Sequence, residues 1–183
     1  SYYYREADVI YTNQDSDFMF RSLRKLESIE EIENWNTSKT ELMYWMFNKA
    51  GDNATISELD LSNWDTSSVE NMSHMFYLAG FSASSFELDL SNWNTSSVEN
   101  MSSMFDCAGK NATTWSIGDL SNCDTSSVEN MAYMFNSAGR SVTTWSIGDL
   151  SNWNTSKVEY MHNMFYYAGY NATTWSIGDL SSR

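Results

Sequence analysis

Five aspartates return at one slot of this chain, Asp60, Asp89, Asp119, Asp149 and Asp179, and a file of carboxylates is an arrangement that can bind calcium through oxygen ligands. Each copy of the slot, however, offers one isolated Asp near a serine, whereas a calcium loop gathers several ligands. The file reads as outward, solvated strand positions, and no metal is assigned. His74 and His162 could serve as general bases, but neither has a recurring serine or cysteine partner. A nucleophile, its base and an orienting group must converge from unlike residues, and a repeat supplies rows of like ones. The chain has no glycine-rich phosphate loop and no His/Cys set with zinc spacing. Cys107 and Cys123 are too few for a disulfide framework, and spacing alone does not say whether they pair. The expectation is a protein without catalytic activity and without a cofactor.

A second chemistry is modification. Asn-X-Ser/Thr sequons stand at Asn36, Asn53, Asn71, Asn94, Asn100, Asn111, Asn154 and Asn171. Asn36, Asn94 and Asn154 share a slot with Asp65 and Asp124, so turn or cap hydrogen bonding explains them. Asn53, Asn111 and Asn171 follow a glycine in Asn-Ala-Thr loops and are the best glycan acceptors.

These residues are positioned by a repeat. The motif Asn-Met-X-X-Met-Phe, or a near variant, places its ring at Phe47, Phe76, Phe105, Phe135 and Phe165, in steps of 29, 29, 30 and 30 residues. A fixed period in this range signals stacked units that share one core. Leu59 and Leu61 alternate with polar residues, as in a strand. Val69, Met72, Met75, Phe76 and Ala79 then follow helical spacing. Ser38/Glu41, Ser67/Glu70, Ser96/Glu99, Ser126/Glu129 and Ser156/Glu159 read as capping boxes that start each helix. Gly51, Gly80, Gly109, Gly139 and Gly169 suit the left-handed residue that ends one. Trp115, Trp145 and Trp175, with Ile117, Ile147 and Ile177, form a return loop or a second short extended segment. Gly118, Gly148 and Gly178 account for the extra residue and suggest a bulge.

The core is expected to contain Met75, Phe76, Met104, Phe105, Met134, Phe135, Met164 and Phe165. Asn34, Asn63, Asn92, Asn122 and Asn152 read as a structural ladder bonding the turns of neighbouring coils, since a buried polar group must be paired. The next slot holds Trp35, Trp64, Trp93, Cys123 and Trp153, so the coil carrying Cys123 should be underpacked. The fold class expected is α/β: a repeat solenoid whose coils each carry a short strand, a turn, a short helix and a return loop.

The segment Leu-Asp-Leu-Ser-Asn-Trp-Asp-Thr-Ser-Ser-Val-Glu-Asn-Met-Ser-His-Met-Phe at 59–76, with its copies, resembles the BspA-type leucine-rich repeats, here in a longer 29–30-residue unit. The resemblance spans roughly residues 28–180. It implies a secreted or cell-surface protein, often an adhesive one.

Formal charge is −14, from 24 acidic and 10 basic residues, which disfavours nucleic acid and anionic membrane surfaces as partners. No apolar run reaches the roughly 20 residues of a membrane span. Residues 1–34 read as an N-terminal segment and degenerate capping repeat, and 35–183 as an array of about five coils with an open C-terminal edge. That edge invites pairing, and contact between unlike ends builds filaments. Tyr2, Tyr3, Tyr4, Trp175, Ile177 and Leu180 are the assembly candidates. The leading function is a non-enzymatic extracellular structural protein that joins head to tail. The alternative is an adhesin module that binds a host protein or glycan through an exposed face, with Tyr77, Phe81, Tyr133, Tyr160, Tyr166, Tyr167 and Tyr170 as aromatic contacts.

Overall fold

A computed structural model describes residues 3–6 and 9–179 of the chain, so Tyr2 and Leu180 lie outside the described residues. Its strands are β1 (Tyr3–Glu6), β2 (Val9–Thr12), β3 (Ile56–Leu59), β4 (Ser85–Leu88), β5 (Thr114–Ser116), β6 (Thr144–Ser146) and β7 (Thr174–Ser176). β1 and β2 pair antiparallel. β3, β4 and β5 form a parallel sheet in which Phe86 lies opposite Trp115, and β6 and β7 form another in which Trp145 lies opposite Trp175. The chain thus advances one coil for each repeat, and coils pack face to face. Three of them, β5, β6 and β7, are the Thr-Trp-Ser return segment, where a β-branched residue and an aromatic favour extended backbone.

The expected helices are absent. No α-helix occurs among the described residues, which overturns the helix-bearing leucine-rich-repeat solenoid of the sequence reading. The segment expected to be helical is a ribbon of tight turns. Its N–H groups alternate between two destinations. Met46, Asn48 and Ala50 donate back to the carbonyls of Met43, Trp45 and Phe47. Met43, Trp45, Phe47 and Lys49 donate instead to Asn71, Ser73, Met75 and Tyr77 of the next coil, at 2.8–3.2 Å. An α-helix keeps all its bonds inside one segment. Here half go to a neighbour, so the ribbon is stable only as part of a stack. The chain turns at left-handed residues, Trp45, Lys49, His74, Leu78, Ser103 and Cys107 among them.

The presumed capping boxes do other work. Ser67 donates both its N–H and its hydroxyl to the Asp65 carboxylate, at 3.0 and 2.6 Å, while the Glu70 N–H donates to the Glu41 carbonyl one coil back. The Asn/Asp slot that includes Asp65 therefore forms Asx turns, the self-bonding for which these side chains are favoured. Asn36, Asn94, Asp124 and Asn154 repeat the arrangement.

The side chains of the ribbon face inward at the positions that looked helical. Met75, Phe76, Met104, Phe105, Met134, Phe135 and Met164 are buried, and Phe165 is half-buried. The rings of Phe47, Phe76, Phe105, Phe135 and Phe165 stack as one column, with centroids 5.3–5.5 Å apart and planes within 6°. Phe20 extends that column at the N-terminal side, 4.9 Å from Phe47. A second column runs through Trp115, Trp145 and Trp175, even though β5 and β6 belong to different sheets.

Candidate functional site

The last coil, residues 160–179, differs from the others in what covers it. In the preceding coil, Met131, Tyr133, Phe135 and Ser137 donate their N–H groups to Tyr160, His162, Met164 and Tyr166. The equivalent donors of the last coil are Met161, Asn163, Phe165 and Tyr167, and these have no acceptor among the described residues. Beside them lies an apolar recess of about 220 Å³ between Met131, Leu150, Trp153, Met161, Met164 and Phe165. Met161 is 42% exposed and Trp175 40%, whereas their counterparts Met131 and Trp145 are buried. Ile177 is half-buried here, and Ile147, one coil earlier, is fully covered.

The first coil shows the complementary edge. Ser16, Phe18, Phe20 and Ser22 donate to Leu42, Tyr44, Met46 and Asn48. The slots whose carbonyls would accept from a preceding coil are Asp15, Asp17, Met19 and Arg21, and these carbonyls accept no bond among the described residues. One corner of this edge is covered, because β1 lies on β2 there. The segment read as a degenerate cap is thus a full coil in its bonding, and Phe18 and Ser22 take the left-handed slots seen in every later coil.

The other residues singled out in the sequence fall elsewhere. Asn34, Asn63, Asn92, Asn122 and Asn152 are exposed and make no side-chain hydrogen bond among the described residues. They are not the inter-coil ladder. Threonine is: Thr37, Thr66, Thr95 and Thr125 are buried and donate their hydroxyls to the carbonyls of Asp65, Asn94, Asp124 and Asn154, at 2.8–3.0 Å. The signal was present as a threonine three residues after each expected asparagine, but it was absorbed into the sequon and the presumed helix cap.

The aspartate file sits at turns. Asp60, Asp89, Asp119 and Asp149 each accept from the N–H two residues ahead, at 2.9–3.1 Å. The Ser62 hydroxyl and N–H hold the Asp60 carboxyl below its usual range, and the Ser121 and Ser151 N–H groups act likewise on Asp119 and Asp149. Among the described residues no three His, Cys, Asp or Glu side chains converge as a metal site needs. Gly118, Gly148 and Gly178 lie beyond the strand ends rather than within them, beneath these carboxylates; a Cβ on Gly148 would stand 2.0 Å from Asp119 Oδ1. His74 is half-buried against Tyr44, Trp45 and Tyr77, and burial lowers its pKa; His162 packs edge-on to Tyr133. Asn53, Asn111 and Asn171 are exposed on turns.

Cys107 and Cys123 are free thiols, and burial pushes them up to about 12 and about 11, so neither is a ready nucleophile at neutral pH. Cys123 interrupts a row of indoles. Trp64, Trp93 and Trp153 donate their ring N–H to the carbonyls of Ile32, Leu61 and Leu120, each at 2.9 Å. At Cys123 that donor is missing, and a void of about 20 Å³ remains between Trp93, Cys123, Trp153, Met101, Met104 and Phe105. Cys123→Trp is expected to fill the space and restore the bond to the Leu90 carbonyl, stabilising the chain by about 1–2 kcal/mol. Thermal denaturation checks this as a rise of about 2–8 °C in Tm; a fall would show that the neighbouring coils have closed over the space.

No curated protein and no solved structure matches this chain. A family model matches twice, over residues 13–117 and 82–178, so its repeat covers the coils described above almost from first to last. The chain belongs to that family, described as "Mycoplasma protein of unknown function, DUF285".

Proposed function

We propose that this chain is a non-catalytic structural repeat protein of the extracellular space or cell surface, which extends end to end as copies stack head to tail. The observation that carries this reading is the match between the two ends. Four unpaired N–H groups at Met161, Asn163, Phe165 and Tyr167 stand in the same slots as four unpaired carbonyls at Asp15, Asp17, Met19 and Arg21. A second copy docked in the register of the repeat joins these four pairs and lays Phe20 on the Phe165 column. Three of the four donor residues are exposed, so pairing exchanges water for a carbonyl of the neighbouring coil, a gain of about 0.5–1.5 kcal/mol for each bond.

The side chains in register agree with this. Glu41, Glu70, Glu99, Glu129 and Glu159 follow one another from coil to coil, a row of like charges. The next place in that row falls to Gln14 of the second copy. Within the chain the Gln14 amide already donates to Glu41, at 2.5 Å, and it has a second N–H for Glu159. His162 likewise falls beside Asp17. The likeness to BspA-type repeats supports the surface placement and nothing about the backbone.

A second reading, a glycan-binding adhesin module, draws on one cluster. Tyr166, Tyr167 and Tyr170 are exposed, the Tyr167 ring contacts the other two, and Arg140 lies across Tyr167 and Tyr170. Sedimentation over a concentration series with electron microscopy tests the leading reading. Thin unbranched filaments or a ladder of end-on oligomers is the expected result; a monomer at every concentration overturns it, and a monomer that binds a glycan favours the second.

A further inference from the structure

The first coil meets its two neighbours along opposite edges of β2. The Ile10 carbonyl and the Thr12 N–H point to one side and bond Asn36 of the next coil, at 2.8 and 3.0 Å. Alternate residues of a strand bond to opposite sides, so Val9 and Tyr11 present their backbone groups the other way. β1 lies on that side, with Tyr4 opposite Tyr11 and Glu6 opposite Val9. β1 therefore occupies the layer just outside the first coil.

That layer has a natural occupant in a stack. The slot of Tyr11 and Asn36 continues through Asp65, Asn94 and Asp124 to Asn154, as the bridge at Asn36 and the threonine ladder trace it. In a head-to-tail joint the segment around Asn154 of one copy comes to rest on β2 of the next. β1 already holds that place, and two segments cannot share one strand edge. The rest of the edge, from Asp15 to Arg21, has no such cover among the described residues.

We propose that β1 is a latch: it keeps the first coil closed to a second copy, and the stack grows only when β1 leaves β2 and the segment around Asn154 of the incoming copy takes its place. This rests on the head-to-tail reading and adds the step that controls it. The exchange gives up the bonds between β1 and β2 for a threonine hydroxyl bond of the ladder type, from Thr155, together with the pairing along Asp15 to Arg21. A two-stranded hairpin is marginal by itself, which makes the latch releasable.

Two variants of the full chain test it, in a Cys107→Ser/Cys123→Ser background. Tyr4→Pro removes an N–H that β1 uses on β2. It is expected to lower the concentration at which light scattering first reports assembly by about tenfold, the effect of roughly one lost bond. Arg5→Cys with Ile10→Cys ties β1 to β2 at a pair whose bonds face away from each other, where antiparallel Cα atoms are close enough for a disulfide. Oxidised, this variant is expected to stay monomeric; reduced, it is expected to assemble as the parent does. Assembly of the oxidised form at the parent's concentration, or no shift with Tyr4→Pro, overturns the latch while leaving the end-on reading intact. If parent, Tyr4→Pro and reduced forms all remain monomeric, the end-on reading falls and the latch with it.

Discussion

Replacing Phe105 with alanine is expected to cost about 3–5 kcal/mol, the range for deleting a buried aromatic from a packed core. Phe105 is 1% exposed, and its ring lies 5.4 Å from Phe76 on one side and 5.4 Å from Phe135 on the other. Its loss would also enlarge the void already present at Cys123, since the Phe105 ring forms part of that wall. The position matters as much as the size. Stability in a repeat array is a sum of units and of interfaces between neighbours. A break in the middle therefore separates two halves that each keep their own contacts. Urea unfolding followed by tryptophan fluorescence should show an earlier and shallower transition, because the two sides no longer unfold together. Phe165→Ala is the control. That ring is half-buried and stacked on one side only, so the same truncation should cost markedly less in a monomer. Equal losses at the two positions would mean that the column is not the source of cohesion.

Gly109→Ala is expected to cost about 2–4 kcal/mol, and two contributions have to be separated. The residue has φ of +52°, which disfavours any side chain by about 1–2 kcal/mol. That alone does not make the position special, for Trp45, His74, Leu78, Ser103 and Tyr133 all sit at positive φ in this chain. What sets Gly109 apart is space. A Cβ there would stand 2.7 Å from Phe86 Cβ and 2.7 Å from Trp115 Cδ1, on two adjacent strands. Neither atom is the free end of a flexible chain, so β4 or β5 must shift, and overpacking of this kind costs about 1–3 kcal/mol. Ser103→Ala, which leaves φ alone and adds no atom, should be nearly silent beside it. A chemical-denaturation midpoint for Gly109→Ala within error of the parent would show that the strands yield more readily than their packing suggests.

The sequence carried the period, the inward set of Met and Phe, and the glycines that close each turn. It did not carry the helix. Val69, Met72, Met75, Phe76 and Ala79 point to one side whether the backbone winds as a helix or as a ribbon of turns. Spacing therefore could not separate the two. The distinction lies in where the N–H groups go, and the acceptors are 26 to 29 residues away in sequence, outside any local window. Left-handed residues would have betrayed the ribbon had they been glycine. They are Trp, His, Leu, Ser and Cys instead, types that rarely mark such a conformation. Ser67 illustrates a second misdirection: Ser-X-X-Glu is a sound helix-start signal, yet Asp65 two residues earlier outcompeted it by offering a carboxylate to the same N–H and hydroxyl. At the candidate site, the place of Trp175 and Ile177 in the rows of Trp115 and Ile117 was legible from the spacing. The matching carbonyl edge was not, because Asp15, Asp17, Met19 and Arg21 take part through backbone and their side chains share no motif with later coils.

Among the described residues, each coil bonds to the one before and the one after, through the same carbonyls and the same threonine hydroxyls. A whole unit could be duplicated or lost between any two others without asking the remainder to repack. Length then becomes a quantity that inheritance can adjust in steps of about 4.8 Å, the spacing of adjacent strands. Relatives that differ in unit number would be rulers of different reach, graduated alike.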